Sequence, residues 1–572
     1  MLRNRRASLL LGMLLVILVY HIAVSRQDIG TLARNGFLYD DSFYAFQIAR
    51  NLSAGNGMTF DGIHPTTGFQ PLYVFLLVPA FMASGADPVL PIYAALMMLA
   101  VFTTLTALLV FAIAKRYVGR SASFAAAAIW AFSPVVTKQA ANGLETALAA
   151  LMIALSVWYY VERVRPLDHP SPGRLLILGL LLGLTVLSRI DGLFLVLAIL
   201  LDSLLLLRGR ADGAASLAHL LLVPMGVLVC YGPWLAVNMA QTGSPLQDSG
   251  AATRFLSLAY SRYFHYGPAD LSATGPNSAF IMTHIVHSLS TLKVIPPVHV
   301  LFRSLEKLGA HIGAIGAARV LGDVAGGILL MAAAAALVRW RRDPRKSRRR
   351  ELDFLLLFSL LLMLSYSLYV FGSFFYLRYY YPVYLGACIY LAFFLQDAAD
   401  LIRRRSIAVR RIAVAGAAVY SVLFGCFTFS QAFRSYPIYP FYDIARWVER
   451  NTGRNETIGA FQCGMIGYFA DRRVINLDGK VNRDAYAALR SGCLDEYLCN
   501  EGIDVVLDHE QIIGIFLDLE PDSTGNPCTR LPDGSMRHPT GWVAYRLPSA
   551  GENGETGVGA GAERPAGLYP AR

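Results

Sequence analysis

Charge is scarce in this chain. Asp, Glu, Lys and Arg make up 16% of its 572 residues, while 55% are hydrophobic. Soluble domains carry about 25% charged residues, so this composition excludes an ordinary soluble enzyme and indicates an integral membrane protein. Cysteine is sparse as well, seven in all, and no Cys-x-x-Cys pair occurs to hold a metal. A Walker loop, a dinucleotide fingerprint and a nucleophile elbow are all missing. Their absence removes P-loop, nicotinamide and α/β-hydrolase chemistry. No internal repeat is visible, which weakens a transporter built from inverted halves. The N-terminus has basic residues before an apolar run but no small-residue cleavage site, so it reads as an uncleaved first span.

What charge there is lies in places that orient the chain. The net charge is +11, and about half of the 50 Lys and Arg residues fall in short clusters between apolar runs. These clusters are Arg3 to Arg6, Lys115 to Arg120, Arg163 to Arg174, Arg208 and Arg210, Arg339 to Arg350, and Arg403 to Arg411. They read as cytoplasmic loops rather than as a nucleic-acid surface. Placing them all inside predicts about eleven spans: 8–24, 91–113, 121–137, 144–162, 174–187, 192–207, 216–238, 313–338, 352–373, 379–396 and 411–430. The N-terminus is then cytoplasmic. Residues 25–90 and 239–310 form large external loops of a 1–430 membrane domain. The apolar stretch Phe69 to Ala83, interrupted by Pro71 and Pro79, is expected to be an interfacial or re-entrant helix, because a full crossing would invert every later loop.

Composition changes at residue 431. Phe441 to Val448 has an amphipathic helical pattern, and Thr457 to Phe461, Val474 to Leu477 and Val505 to Leu507 read as short strands. Residues 431–548 are thus expected to be a small extracytoplasmic α/β domain, followed by a disordered tail, 549–572. Cys463, Cys493, Cys499 and Cys528 form an even set there, compatible with disulfides in three possible connectivities.

With this topology the uncommon polar residues collect on the outer side. Asp40 and Asp41 follow the first span; Lys138, Asn142 and Glu145 sit at one turn; Arg189 and Asp191 tip a hairpin; Arg254 lies in the second loop; Arg378 opens Arg378-Tyr-Tyr-Tyr-Pro382. Two adjacent carboxylates at a membrane surface carry a desolvation cost and call for a role. Each element also has a plain structural reading. The acid pair could be solvated loop charge or a helix cap, Glu145 a first-turn acid, Arg189 with Asp191 a local ion pair, and Arg378 an interfacial anchor. The convergence of acids and bases from separate loops favours a site.

The run Asp40-Asp-Ser-Phe-Tyr-Ala-Phe-Gln-Ile-Ala-Arg-Asn-Leu52, continued by Gly55-Asn-Gly57 and Pro65-Thr-Thr-Gly-Phe-Gln-Pro-Leu72, resembles the first external loop of GT-C membrane glycosyltransferases. The similarity is to the group containing dolichyl-phosphate-mannose protein mannosyltransferases and the lipid A aminoarabinose transferase. It extends through Asn142 to Thr146, Leu187 to Asp191, Pro233 to Asn238, Arg378 to Pro382, Gly464 to Tyr468 and Leu477 to Gly479. The resemblance implies an inverting transfer of a sugar from a polyprenyl-phosphate donor, on the outer face of the cell (inner) membrane, to a glycan, lipid or protein acceptor. It implies no obligatory metal or cofactor, and membrane lipids as surroundings. Asp40 is implied as general base with Asp41 beside it. Glu145 would join them as a catalytic residue that orients the acceptor or tunes the base, and Lys138, Arg189, Arg254, Arg378 and Tyr379 would hold substrate. The oligosaccharyltransferase Trp-Trp-Asp-Tyr-Gly signature is absent, which argues against transfer of a whole glycan to asparagine. A transporter or flippase of lipid-linked sugars is the alternative, with the acid pair as coupling groups, and a structural partner in an envelope complex is a third reading.

Overall fold

The computed structural model describes residues 2–207, 213–266, 278–291, 342–433, 439–517 and 536–547, together with 335, 338 and 437. Among these, eight helices are long and apolar enough to cross a membrane: Ser8–Ser25, Leu90–Lys115, Thr146–Val164, Ile190–Leu207, Leu217–Thr242, Ser347–Val370, Tyr381–Arg403 and Ile407–Phe433. The chain is a polytopic helical membrane protein. Three of the eleven expected spans are not among these helices. The span at 174–187 is a 17-residue helix, Pro172–Ser188. The span at 121–137 breaks into Arg120–Phe132 and Pro134–Ala140, because Ser133 is extended and Pro134 starts a new helix. The span at 313–338 and the tail at 549–572 lie outside the described residues, 335 and 338 apart.

Pro71–Ser84 is a helix of 14 residues with Pro79 inside it. At 1.5 Å per residue it is about 21 Å long, short of the roughly 30 Å hydrocarbon core. It packs through Tyr73, Val74, Leu77 and Phe81. The basic loops meet at one end of the bundle through ion pairs such as Arg116–Glu162 at 3.1 Å and Arg349–Asp397 at 2.8 Å. The Asp40–Ser53 helix, the start of Leu90–Lys115 and the C-terminal domain gather at the other end, where Tyr468 donates to the Pro88 carbonyl at 2.6 Å.

The C-terminal domain is built on a five-stranded sheet: β1 Thr457–Ala460, β2 Arg473–Asn476, β3 Val505–His509, β4 Met536–Arg537 and β5 Trp542–Arg546, in the order β2-β1-β3-β5-β4. β1 pairs in parallel with β2 and β3, and the antiparallel β5 joins β3 to β4. Parallel neighbours need crossovers, supplied here by Gly464–Phe469 and by Arg483–Ser491 with Leu494–Asn500. Every residue of β1 is buried, as a central parallel strand requires. The four domain cysteines differ in state. Cys463 and Cys493 are free thiols, Cys499 is in a disulfide, and Cys528 lies outside the described residues.

Candidate active site

Asp40 and Asp41 open the helix Asp40–Ser53, where negative charge is favoured by the helix dipole. Consecutive side chains on a helix diverge by about 100°, so the two acids face different surroundings. Asp40 turns to the C-terminal domain. Its carboxylate accepts the backbone N–H of Gly464 at 3.0 Å and of Met465 at 2.7 Å. One helical turn on, Tyr44 makes the same crossing and donates to the Phe461 carbonyl at 3.3 Å. Gly464 lies so close that a Cβ there would collide with the Asp40 carbonyl. Burial pushes the Asp40 carboxyl up to about 7, although its two amide donors pull the other way.

Asp41 turns instead into a cavity of about 710 Å³ bounded by the membrane helices, the second loop and the C-terminal domain. Arg378 donates to it at 2.9 Å, and the Lys480 ammonium lies 3.4 Å from its other oxygen. Burial alone would raise this carboxyl, but Lys480 and Arg378 outweigh it and hold Asp41 down at about 2. Burial likewise works against charge on Lys480, and Asp41 with Asp478 reverses the balance and lifts its pKa. Arg378 comes from the short helix Tyr376–Tyr379, and its Nε has no hydrogen-bond partner among the described residues.

Opposite this cluster, Glu145 accepts from Arg189 at 2.8 Å, and Arg189 also binds Asp191 at 3.0 Å and Tyr366 at 3.0 Å. Tyr366 donates to Asp191 at 2.8 Å and stacks on Tyr379 with ring centroids 4.1 Å apart. The Arg189–Asp191 pair at the hairpin tip is therefore one corner of a larger network. Arg254, on the helix Asp248–Tyr266, lies 4.3 Å over the Tyr369 ring and also has an unpartnered Nε among the described residues.

The cavity thus brings together Asp41, Glu145, Arg189, Arg254, Arg378 and Tyr379. Two of the residues singled out from the sequence are not on its wall. Asp40 is engaged by the C-terminal domain, and Lys138 rests 5.6 Å over the Tyr39 ring on the helix that restarts after Ser133. Two cations absent from the sequence-level set, Lys480 and Arg490, line it from the C-terminal domain. For Lys480 the available signal was its place just after the Leu477-Asp-Gly479 turn. Five basic and three acidic side chains among the described residues line the cavity, a surplus of two positive charges. Among the described residues, no three His, Cys, Asp or Glu side chains form a metal-holding set.

The second half of the loop motif shapes the floor and the domain seat. Asn51 donates to the Thr59 and Phe60 carbonyls at 2.9 and 3.0 Å and closes the loop after the helix. Gly68 lies directly under the Lys480 carbonyl, where a Cβ would collide. Phe69 packs on Trp234, with centroids 5.1 Å apart.

Residues 76–236 match the family model described as dolichyl-phosphate-mannose-protein mannosyltransferase. Residues 429–553 match a domain of unknown function (DUF8728). Among solved structures, the apo oligosaccharyltransferase of Archaeoglobus fulgidus superposes with a TM-score of 0.53 at 14% identity, over 87% of this chain and 69% of that one. The same protein tethered to an acceptor peptide containing the NVT sequon gives 0.51 at 13% identity, over 87% and 69%. ArnT of Cupriavidus metallidurans bound to undecaprenyl phosphate gives 0.46 at 13% identity, over 95% and 98%. No curated protein matches the chain.

Proposed function

We propose that this membrane protein, which has the GT-C glycosyltransferase fold, moves a single sugar from a polyprenyl-phosphate donor to an envelope acceptor at the extracytoplasmic face. The observation that carries this reading is the cavity with an acid, Asp41, set between two cations, and with an excess of positive charge among the described residues around it. The matched mannosyltransferase family model covers the helices Thr146–Tyr159 and Pro172–Ser188, from whose ends Glu145 and Arg189 face one another, and so supports a lipid-phosphate sugar as donor class. The basic loops at the opposite end of the bundle support a cytoplasmic N-terminus and an external cavity.

The chemistry follows from the groups present. An acceptor hydroxyl attacks the anomeric carbon, the bond from that carbon to the phosphate oxygen breaks, and its electrons leave with the lipid phosphate. A carboxylate on the cavity wall must take the hydroxyl proton. We assign this to Asp41, because both oxygens of Asp40 are committed to backbone amides. The phosphodiester becomes a monoester and gains negative charge, which Arg378 and Arg254 are placed to stabilise through their unpartnered Nε groups. Glu145, fixed by Arg189, is positioned to orient the acceptor.

The test is purified protein in lipid with radiolabelled polyprenyl-phosphate sugars and an envelope extract. Label should move to a new glycosidic product in wild type and not in Asp41→Asn. Sugar that crosses the bilayer without a new bond would instead establish the transporter reading.

A further inference from the structure

Lys480 is a cation that the membrane half does not supply. It ends the turn Asp478-Gly479-Lys480 after β2, and its Nζ lies 3.1 Å from Asp478 and 3.4 Å from Asp41. Asp478 is sealed inside, with 2% of its side chain exposed, whereas Asp41 opens on the cavity. The Phe375 ring lies 5.7 Å from the Lys480 ammonium and 5.1 Å from the Arg378 guanidinium, so the two cations flank one ring as well as one carboxylate. Their spacing is set by domain docking, because the Lys480 carbonyl sits on Gly68 with no room for a side chain between them.

We propose that the C-terminal domain completes the phosphate site: Lys480 and Arg378, which share Asp41 in this structure, are the pair that takes up the donor's phosphate, so that binding the lipid phosphate and releasing Asp41 from its ion pairs are one event. The inference rests on the lipid-phosphate reading above and adds the domain's cation to it. Two anions that compete for the same two cations cannot both be fully paired. As the bond from the anomeric carbon to the phosphate oxygen breaks, the phosphate passes from one negative charge to two and draws the cations more strongly. Asp41 loses their hold as the acceptor proton must be taken, and that proton goes to its carboxylate while the acceptor oxygen bonds to the anomeric carbon. Base strength and leaving-group charge then rise together.

The experiment measures binding of a short-chain polyprenyl phosphate, without sugar, to the full-length purified protein. The corresponding alcohol and inorganic phosphate serve as comparators. Wild type should bind the lipid phosphate and not the alcohol. Lys480→Met should weaken binding by about tenfold, the loss of one charge-assisted contact, and Lys480→Arg should restore most of it. Asp41→Asn should tighten binding, because it removes the competing anion. Unchanged binding by Lys480→Met overturns the proposal. So does unchanged or weaker binding by Asp41→Asn, which makes the cluster a purely structural ion pair; this arm holds even if Lys480→Met does not fold. Wild type that fails to distinguish lipid phosphate from alcohol overturns the lipid-phosphate reading itself. Inorganic phosphate that binds as tightly as the lipid, with the same dependence on Lys480, keeps the cation pair and overturns the lipid source.

Discussion

The carboxylate of Asp40 takes the backbone N–H of Met465 at 2.7 Å, a contact that joins residues 425 positions apart and docks the C-terminal domain on the first-loop helix. Gly464 and Met465 are both buried, so neither amide has water to turn to. Asp40→Ala leaves two buried donors without acceptors, at about 1–2 kcal/mol each. Below the raised value of about 7 the expected result is a protein destabilised by roughly 2–4 kcal/mol, read as a lower thermal midpoint in detergent. A midpoint equal to that of wild type would show the contact to be dispensable.

Asp40 also makes a prediction about pH. Its carboxyl is raised from 3.8 when free to about 7 in the fold, chiefly by burial. The folded state therefore holds this proton more tightly, and the stability linked to it is fully present below pH 3.8. That contribution falls as pH rises from there through about 7, and is flat above. Asp40→Asn, which cannot titrate, should lack this slope, so the wild-type-minus-variant difference in thermal midpoint should fall across that range; a difference that stays constant would contradict the assignment.

Asp41→Asn should lower the turnover of sugar transfer by at least about 10²-fold, the usual scale for a general base, with protein abundance unchanged. Asp40→Asn should retain more transfer, because its carboxylate works at the domain interface. Equal losses in the two variants, measured as initial rates at saturating donor, would contradict this ordering of the acids.

Gly68→Ala introduces one methyl group where the Lys480 carbonyl sits. It should cost about 1–3 kcal/mol, as overpacking does, and should reduce transfer although no charged group is altered. Thermal unfolding and transfer assayed on the same preparation check both parts.

His64 links the first loop to the domain through Asp61 at 2.6 Å and Glu501 at 3.3 Å. Its pKa is raised, first by the hydrogen bond to Asp61 and further by the two acids, against the effect of burial. A raised base stabilises the fold fully below its free value of 6.5, and that contribution is lost as pH rises through the raised value. His64→Gln should therefore show its largest midpoint deficit at acidic pH and a smaller one at alkaline pH; a deficit independent of pH would rule out the charged pairing.

The spans were legible because apolar runs and basic clusters repeat at lengths that only a bilayer imposes, as in Leu90–Lys115 ahead of Arg116. The break at Ser133–Pro134 was marked by its proline, yet the surrounding apolar run from 121 to 137 reads as one span. Three strands were visible in their β-branched content. β4 and β5 were not, since they come after a stretch rich in Gly, Pro, Asp and Ser, and β5 makes sense only against β3 and β4 only against β5. In the site, the resemblance put Asp40 first with Asp41 beside it, whereas in the fold it is Asp41 that faces the cavity, because helical phase has meaning only once the neighbours are in place. Lys480 had only its place after the Leu477-Asp-Gly479 turn to mark it, since a single lysine there gains its role from a contact across 439 residues.

The last long helix, Ile407–Phe433, buries only Phe424, Thr428 and Ala432, and the domain follows it in the chain. So thinly attached a strut does little to position the domain it carries; Asp40, Tyr44 and Gly68 grip that domain directly. Chain continuity across this segment is then a matter of delivery more than of geometry. Two separately encoded fragments, severed at the exposed turn before Ile407, should find each other in the membrane and rebuild the cavity.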